Sequence, residues 1–557
     1  MSDRNDRLIY LPLGGAGEIG MNAYVFGYGP PGAERLILVD IGVTFPDMES
    51  TPGVDLIMPD MTWLEERASQ LEGIFITHAH EDHIGGLAHL WPKLRARVFA
   101  RKFTAEIGRA KLEEVGIDSS IIGVVAPHPQ QVAVGPFKVS FLPVSHSIPE
   151  SSALVIETPA GRIVHTGDFK LDGNPMVGEP FDAQLWHSVA EDGVKVLTCD
   201  STNVFTDAPG RSEATLGPEI TKLIAESTGM FVATTFASNV ARVRTLAIAG
   251  EDAGRSVVVL GRAMFRMIEA SESTGILTDL PRLLTPEEAE DVPRDRLMLI
   301  VTGSQGERRA ATAQLSRGKY LGFELKEGDT FLFSSKTIPG NERGVNRIKN
   351  AFSEIGVRVV GEEGGRYHVS GHANRPDLEA VHELMKPDML IPMHGEHRHL
   401  SEHARLGAER GIASEVAPNG TMLDLTGDRP EIVEYVETGR TYLDGNVLIG
   451  ALDGVVRDRI RMALFGHVMV TLIVEDDQPL GDAWAEVRGL PELGRSRAPL
   501  NETIEIELNE LLRRSDKKVL RNDDKLEEAI TRAVRQAVLE EVGKKPEVTV
   551  VISRLSA

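Results

Sequence analysis

The sequence has one cysteine, Cys199, so no disulfide bond can form within the chain. This fits a reducing cytoplasm, and it means that a transition-metal site must rely on histidine and carboxylate ligands. No apolar run approaches the roughly 20 residues that a membrane helix needs. Residues 1–7 are polar and lack the apolar core of a secretory signal. We therefore expect a cytoplasmic protein with no membrane partner.

Aromatic residues are also scarce, at 5% of the chain, but the apolar content of 41% is that of an ordinary globular protein. A chain of 557 residues is too long for one hydrophobic core, so we expect about three domains. The net charge of −23 at first argues against an anionic substrate, but an average charge decides nothing by itself. Basic clusters within residues 306–319 and 341–349 leave open a basic channel, or equally two solvated helix faces.

Three segments differ in their pattern of apolar residues. Up to about residue 212 the sequence predicts short strands separated by glycine turns. From Glu213 to about residue 372, helical stretches alternate with apolar strands, which indicates a largely parallel α/β unit. Residues 389–392 then predict a strand that leads into His394. Beyond Gly450, strands and two amphipathic helices at residues 504–514 and 525–542 predict a small α+β domain.

One short segment concentrates metal-binding side chains: His78, His80, Asp82 and His83 all lie within six residues. A buried strand at residues 74–77 leads into it, and residues two apart on a strand point the same way. A helix that starts at Asp82 would aim Asp82 and His83 back toward the same point. The segment therefore predicts a metal site that serves hydrolysis.

This H-x-H-x-D-H motif after a buried strand resembles the metallo-β-lactamase superfamily. The superfamily's other motifs match Asp40 at the end of residues 36–40, His146 within residues 143–147, and Asp168 within residues 165–169. The last histidine ligand, His394, lies more than two hundred residues later, so the intervening segment resembles an inserted domain. Asp200 and His372 within that gap match the β-CASP branch, whose members are nucleases. Residues 13–22 and the C-terminal domain resemble the ribonuclease J family.

The resemblance implies an α/β fold, an αββα metallo-β-lactamase sandwich with an inserted α/β β-CASP domain and a small α+β C-terminal domain. We expect the metallo-β-lactamase domain to comprise residues 1–212 and 373–450, and the β-CASP domain residues 213–372. A linker at residues 451–466 would precede the C-terminal domain at residues 467–557.

The resemblance also implies two divalent metal ions, zinc in the first place, with manganese as the alternative. His78, His80 and His146 would hold one ion, Asp82, His83 and His394 the other, and Asp168 would bridge them. Two such ions activate water and neutralise charge on a scissile phosphate. Asp40 would orient a ligand imidazole. His372 is the candidate for protonating the leaving oxygen, and Asp200 would position the groups or share that role.

A 5′-phosphate pocket is a further implication. Ser238 or Asn239 could cap a helix at residues 240–249 and expose amide hydrogens to phosphate, although an ordinary cap explains them equally well. A second turn follows His368 and contains a permissive glycine. The predicted phosphate-binding residues are Ala237, Ser238, Asn239, His368, Ser370, Gly371, His372 and Ala373.

The leading hypothesis is a metal-dependent ribonuclease. It would digest single-stranded RNA with a 5′-monophosphate stepwise from 5′ to 3′, cut internally as well, and act in RNA decay and in rRNA and mRNA maturation. The alternatives are a DNA-acting β-CASP nuclease, which His394 disfavours because RNA-acting members carry histidine there, and a non-catalytic RNA-binding scaffold. The large inserted domain disfavours a small-molecule thioesterase or lactonase. The C-terminal domain would form a homodimer or tetramer, or contact RNA-decay proteins. Helix 525–542 could mediate this association or pack within its own domain.

Several other patterns receive plain structural interpretations. Gly15, Gly17 and Gly20 fit a dinucleotide-binding G-x-G-x-x-G, but β-like residues follow them where a helix would be required. Most of His397, His399 and His403 are expected on the surface of a helix. His165 is expected to be packed or to support the metal site, and Cys199 to be a small core residue.

Overall fold

A computed structural model describes residues 6–361 and 365–555 of the chain. Residues 1–5 of the polar N-terminus and residues 362–364 of the predicted β-CASP domain lie outside the described residues. The chain forms two compact units, one of residues up to 44 and 58–439, the other of residues 45–57 and from 440 onward. Within the described ranges, no helix has both the length and the apolarity to cross a membrane.

The first unit contains an eight-stranded mixed sheet near its N-terminus. Its strands are, in spatial order, Glu431–Tyr435, Thr421–Asp424, Arg7–Gly14, Ala23–Gly29, Arg35–Val39, Leu71–Ile76, Val98–Ala100 and Ile122–Val124. The first four neighbouring pairs are antiparallel and the last three are parallel. The segment after residues 13–20 is thus a strand, Ala23–Gly29, which rules out the strand-to-helix turn of a dinucleotide site.

A seven-stranded sheet packs against the first one. Its strands are, in spatial order, Ala413–Ser414, Met389–Met393, Val196–Asp200, Gly161–His165, Ser152–Thr158, Phe137–Pro143 and Gln131–Val134. Side chains from both sheets, such as Phe26, Phe75, Phe141 and Ile391, form one buried core between them. The predicted αββα sandwich is therefore confirmed.

Helices cover the outer faces of this sandwich. Trp186, Leu378 and Leu406, from three of them, pack with residues of the second sheet in one buried cluster. The helices outside the inserted segment are Thr62–Glu65, Glu81–Ile84, Leu87–Leu94, Lys102–Glu114, Ala183–Glu191, Arg375–Met385 and His397–Glu409. A glycine pair separates Glu81–Ile84 from Leu87–Leu94, and there the amide of Gly86 donates to Ile41 O at 2.8 Å.

The inserted segment has a third sheet of six strands, all parallel, as predicted. The strands are, in spatial order, Leu283–Leu284, Ser256–Leu260, Leu297–Val301, Phe231–Thr234, Thr330–Phe333 and Arg358–Val360. The helices of this segment are Gly217–Ala225, Val240–Asp252, Arg262–Ser273, Ala311–Leu315 and Glu342–Glu354. Apolar clusters on both faces of the sheet account for the near-continuous apolar strands of the sequence.

A fully buried ion pair stabilises the inserted segment. Arg242 is 0% exposed, and its guanidinium donates to Glu213 Oε1 at 2.5 Å and Oε2 at 2.9 Å, and to the carbonyl of Ser334 at 2.6 Å. Removing one partner of such a pair leaves an unpaired buried charge, at a cost of about 3–5 kcal/mol.

The second unit is built on a sheet of His467–Glu475, Gln478–Pro479, Trp484–Arg488 and Glu547–Leu555. One face of this sheet packs against the helices Leu500–Arg514 and Asp523–Val542. The apolar side of the second helix, including Leu526, Ile530 and Val534, is buried there. This helix therefore packs within its own domain, which was one of the two predicted alternatives.

The limits of the second unit differ from the predicted boundaries at residues 450 and 467. Residues 440–450 form a hairpin, Arg440–Asp444 with Val447–Gly450, and belong to this unit. The predicted linker contains the helix Val455–Phe465. Residues 45–57 join the same unit, and Asp55 N donates to Leu443 O at 2.8 Å. The residues of this pairing, Asp55 and Leu443, are nearly four hundred positions apart, so no local pattern in the sequence predicts it.

Candidate metal centre

The ends of parallel strands in the two sheets bring the predicted ligands together. Asp40 and His78 follow two neighbouring parallel strands of the first sheet, Arg35–Val39 and Leu71–Ile76. In the second sheet Asp168, Asp200 and His394 lie at or just past the carboxyl ends of three adjacent parallel strands. Carboxyl ends of parallel strands meet at one edge, so residues hundreds of positions apart become neighbours.

Three histidines form the first group of candidate ligands. Nε2 of His78 and Nε2 of His146 each lie 3.1 Å from Nδ1 of His80. Ligand nitrogens 2.0–2.1 Å from a tetrahedral zinc ion lie about 3.3 Å from one another. The spacing of the three nitrogens is therefore that of ligands to one ion.

Asp82, His83, Asp168 and His394 form the second group. Nε2 of His83 lies 3.2 Å from Asp168 Oδ2, and Nε2 of His394 lies 3.2 Å from Asp82 Oδ2. Asp168 Oδ2 is also 3.9 Å from Nε2 of His78 and 3.8 Å from Nε2 of His146. This carboxylate oxygen thus lies between the two groups, where a bridging ligand would be needed.

Hydrogen bonds from the outer ring nitrogens fix the tautomers of four histidines. Nδ1 of His146 donates to Gly371 O at 2.6 Å, and Nδ1 of His83 to Asp40 Oδ2 at 2.7 Å. The hydroxyls of Thr77 and Thr202 donate to carboxylates, so they accept from Nδ1 of His78 and of His394, each at 3.0 Å. Each Nε2 is left with a lone pair directed inward, as a metal ligand requires.

The donor set fits divalent cations. Burial lowers the pKa of His80 to about 4, and burial together with the neighbouring imidazoles holds the pKa of His78 and of His146 well below the usual range. These rings are therefore neutral ligands. In the second group burial lowers the pKa of His394, but Asp168, Asp200 and Asp82 outweigh it and raise that pKa to about 10. The carboxylates of Asp168, Asp200 and Asp82 therefore stabilise positive charge beside them, as a cation site requires.

An unsatisfied oxygen supports the same conclusion. Asp168 Oδ1 is buried and makes no hydrogen bond to any described residue, although Nδ1 of His394 lies 3.1 Å away. Buried carboxylate oxygens are normally paired or coordinate a metal.

Two residues of the centre adopt left-handed backbone conformations. Asp40 has φ 62° and His394 has φ 50°, each immediately after a strand. The conformation costs a non-glycine residue roughly 1–2 kcal/mol. Asp40 offsets this cost with three hydrogen bonds, from Thr77 N at 2.8 Å, Thr77 Oγ1 at 2.8 Å and His83. Asp40 therefore holds ligands of both groups in place, as the resemblance implied for a residue that orients an imidazole.

Sequence patterns did not identify Asn22, which also supports the second group. Its Nδ2 lies 3.0 Å from Asp82 O and 3.0 Å from His83 Nε2, and its Oδ1 accepts from the Tyr24 hydroxyl at 2.7 Å. A Cβ on Gly15 would lie 2.3 Å from Asn22 Oδ1, at a φ of 85°. The glycine-rich turn is therefore explained by close packing at the centre.

Asp200 and His372 form a hydrogen-bonded pair beside the metal ligands. Nδ1 of His372 donates to Asp200 Oδ2 at 2.8 Å, and the side chain of His372 is 22% exposed while that of Asp200 is buried. Burial lowers the pKa of His372, but Asp200 and Asp168 outweigh it and raise that pKa. Asn203, which the sequence analysis missed, supports the pair by donating to Ser370 Oγ at 2.8 Å and to His372 O at 3.3 Å.

The predicted phosphate-binding residues lie in two segments, residues 237–239 before the helix Val240–Asp252 and residues 368–373. Asn239 caps the helix Val240–Asp252, because its side chain accepts from Arg242 N at 3.0 Å. Burial lowers the pKa of His368 to about 3, together with the charges of Arg242, Lys336 and Lys170. The prediction that Ala373 binds phosphate is wrong. Its amide donates to Phe169 O at 2.6 Å and its side chain is in the core, so it has no free donor for phosphate.

The expectation that most histidines after His394 are on the surface is wrong. His399 and His403 are buried, because the helix His397–Glu409 packs its inner side against the second sheet. His403 bonds Ser201 Oγ at 2.9 Å and His382 at 3.1 Å. Cys199 and His165 are fully buried, as expected, and burial raises the pKa of the Cys199 thiol.

We expect Asp40→Asn to weaken metal binding about 10- to 100-fold, the usual effect of losing a partner of a ligand imidazole. The amide cannot accept from Thr77 and His83 as the carboxylate does. Competition with a chromophoric chelator measures the affinity, and a thermal melt verifies folding. Asp192→Asn, at a side chain that is 75% exposed, is the control. Equal metal affinity in the two variants would contradict this role for Asp40.

Family models match four parts of the chain. Residues 17–215 match the metallo-beta-lactamase superfamily, and residues 228–352 match the beta-CASP domain of ribonuclease J. Residues 362–417 match the Zn-dependent metallo-hydrolase RNA specificity domain, and residues 454–555 match the ribonuclease J C-terminal domain.

Known proteins match over almost the whole length. A ribonuclease J from Sinorhizobium meliloti is 40% identical, over 99% of this chain and 98% of that protein. One from Mycolicibacterium smegmatis is 37% identical, over 90% and 89%. A crystal structure of a protein of unknown function from Enterococcus faecalis has a TM-score of 0.50 at 17% identity, over 75% of this chain and 100% of that one, and supports the fold alone. The chain therefore belongs to the ribonuclease J family of metallo-hydrolases.

Proposed function

We propose that this chain is a metal-dependent 5′-to-3′ exoribonuclease that prefers single-stranded RNA with a 5′-monophosphate, cuts internally as well, and acts in RNA decay and in rRNA and mRNA maturation in the cytoplasm. The observation that carries the proposal is two groups of metal ligands sharing Asp168, next to the pair of Asp200 and His372. Relatives named ribonuclease J support RNA as the substrate.

In this proposal His78, His80 and His146 hold one divalent ion, and Asp82, His83 and His394 hold the other, with Asp168 between them. The ions are zinc, with manganese as the alternative. When bound, they supply a water of lowered pKa and neutralise charge on the scissile phosphate. The protein's part is to orient four of the imidazoles: Nδ1 of His146, His83, His78 and His394 donates to Gly371 O, Asp40, Thr77 and Thr202, so that each Nε2 is directed inward.

His372 is the proposed proton donor to the leaving 3′ oxygen. Its Nδ1 proton is held by Asp200, and the carboxylates of Asp200 and Asp168 raise the pKa of the ring. The ring is partly exposed, whereas His78, His83, His146 and His394 are almost fully buried, so it can reach a substrate. Asp200 in turn accepts two hydrogen bonds from Thr202, which keeps this carboxylate in place.

Lys336, an exposed side chain close enough to His368 to lower the pKa of this ring, supports a 5′-phosphate pocket. Arg242 and Lys170 also lie near His368, but each is paired with a carboxylate, that of Glu213 and that of Asp172. The N-terminus of the helix Val240–Asp252, preceded by Ala237 and Ser238, adds a positive dipole end. Ser370, Gly371 and His372 follow His368 in the chain, so such a pocket would lead directly to the proton donor.

The C-terminal unit is the proposed site of self-association into a homodimer or tetramer, and of contact with RNA-decay proteins. The sheet face opposite its helices carries Trp484, Ile473 and Val551, which are 50%, 39% and 43% exposed. Trp484 and Val551 lie on either side of Thr471, and exposed large apolar side chains on one sheet face are typical of an interface.

Digestion of end-labelled RNA tests the activity. We expect 5′-monophosphorylated RNA with zinc or manganese to be shortened stepwise from its 5′ end, faster than triphosphorylated RNA or a matched DNA. Preference for the DNA would favour the DNA-acting alternative. If wild type and His80→Ala left the RNA equally intact, the enzyme hypothesis would fail and the scaffold alternative would stand.

His372→Gln should lower kcat by about 10²- to 10⁴-fold, the usual contribution of general acid catalysis. Metal content should stay unchanged. Single-turnover kinetics and elemental analysis of the purified protein measure the two effects, with the exposed His187→Gln as control. A loss of metal in His372→Gln would instead assign this histidine to the ligand set.

Trp484→Glu should reduce the mass of the full chain to that of a monomer in light scattering, because a carboxylate would be desolvated in the interface. The matched control is Leu493→Glu, which changes an equally exposed residue elsewhere in the same unit. An oligomer that persists in Trp484→Glu would exclude this sheet face.

A further inference from the structure

An exposed phenylalanine lies on the turn that follows Asp200. Phe205 is 49% exposed, while Ser201 and Val204 of the same turn are fully buried. Two backbone hydrogen bonds close this turn, from Val204 N to Ser201 O at 3.2 Å and from Thr206 N to Asn203 O at 2.9 Å. The exposed ring is therefore presented by an ordered segment.

Two side chains of the helix His397–Glu409 contact this ring. The buried ring of His399 lies with its centroid 5.3 Å from that of Phe205, at 60°. The guanidinium carbon of Arg398 lies 5.6 Å from the Phe205 centroid, and Nε of Arg398 donates to Glu396 at 2.9 Å. Phe205 thus contacts the buried ring of His399 and the exposed guanidinium of Arg398.

The turn is bonded directly to the reacting centre. Thr202 Oγ1 bonds both Asp200 and His394, and Asn203 bonds the carbonyl of His372. Three residues of chain span at most about 10 Å, so the Phe205 backbone lies within that distance of Thr202. A single exposed apolar residue is common on any protein. Phe205 differs because it is aromatic, contacts His399 and Arg398, and lies two residues from Asn203, which bonds the carbonyl of the proposed proton donor.

We propose that Phe205, flanked by Arg398, stacks on a nucleobase of the single-stranded RNA close to the scissile phosphate. The inference rests on the proposed function, since it takes RNA as the substrate. Aromatic rings bind single-stranded nucleic acids by stacking on bases, and this tolerates any sequence because every base has a π face. Stepwise digestion of unrelated RNAs requires such tolerance.

The charges around Phe205 indicate stacking and not phosphate binding. Arg398 is paired with Glu396, and Arg375 is paired with Glu402 and with Asp207 at 3.4 Å. The surroundings therefore offer little net positive charge to the RNA backbone. Loss of the ring should weaken RNA binding without changing how steeply that binding depends on salt, because the salt slope reports phosphate contacts.

The experiment compares wild type with Phe205→Ala and Phe205→Trp in the full chain, with the metals in place and with phosphorothioate-linked RNA that resists cleavage. A short 5′-monophosphorylated RNA and versions with one abasic nucleotide at each of the first four positions are titrated. We expect Phe205→Ala to raise Kd about 5- to 150-fold, the range for one lost stacked base, and Phe205→Trp to bind like wild type. Tyr435→Ala, an exposed aromatic residue on the edge strand Glu431–Tyr435, is the matched control.

Measuring the effect of Phe205→Ala and of each abasic RNA singly and together identifies which base Phe205 contacts. One abasic position should weaken wild-type binding as much as Phe205→Ala does, and should cause no further loss in that variant. The proposal is overturned if Phe205→Ala binds like wild type, or if every abasic RNA loses the same affinity in both proteins. This binding assay is separate from turnover, so wild type that binds in this way but never cleaves RNA would count against the proposed function alone.

Discussion

Buried negative charge at one edge of the sandwich is the constraint on which the centre depends. Asp40, Asp168 and Asp200 are each at most 3% exposed, and their charges cannot be buried without partners. Hydrogen bonds from Thr77, Thr202 and the imidazoles satisfy some of the oxygens, and Asp168 Oδ1 has no hydrogen bond from a described residue. The same edge therefore orients five imidazoles and demands cations, so that assembly of the ligands and affinity for metal have one physical cause.

The local part of this centre could be predicted from the sequence because its residues are close in the chain. His78 to His83 lie at the end of a buried strand and the start of a helix, and both elements were evident from apolar spacing. His146, Asp168 and His394 could be assigned only through family resemblance. Their proximity arises from strand order in the second sheet, where Gly161–His165, Val196–Asp200 and Met389–Met393 are neighbours. Strand order leaves no periodic signal in a single sequence.

Other features could not be predicted because they depend on long-range packing. Asn22 and Asn203 are ordinary turn residues in the sequence, yet each makes several contacts to the centre. His399 and His403 follow a helical pattern with many charges, and only the packing of that helix on the second sheet shows that both are buried. Residues 45–57 belong to the C-terminal unit through pairing with residues near 443, which no local pattern announces.

The carbonyl of Gly371 accepts from His146, and a Cβ at residue 371 would lie 2.9 Å from that imidazole. The first group of ligands is thus finished by a residue that is translated more than two hundred codons after His146, and the second group waits for His394. A ribosome-bound chain that has completed only the first strands and the H-x-H-x-D-H segment holds an incomplete ligand set. If these residues hold the metals as proposed, the ligand set is complete only after the inserted domain has been synthesised and residues 371–394 have joined the sandwich.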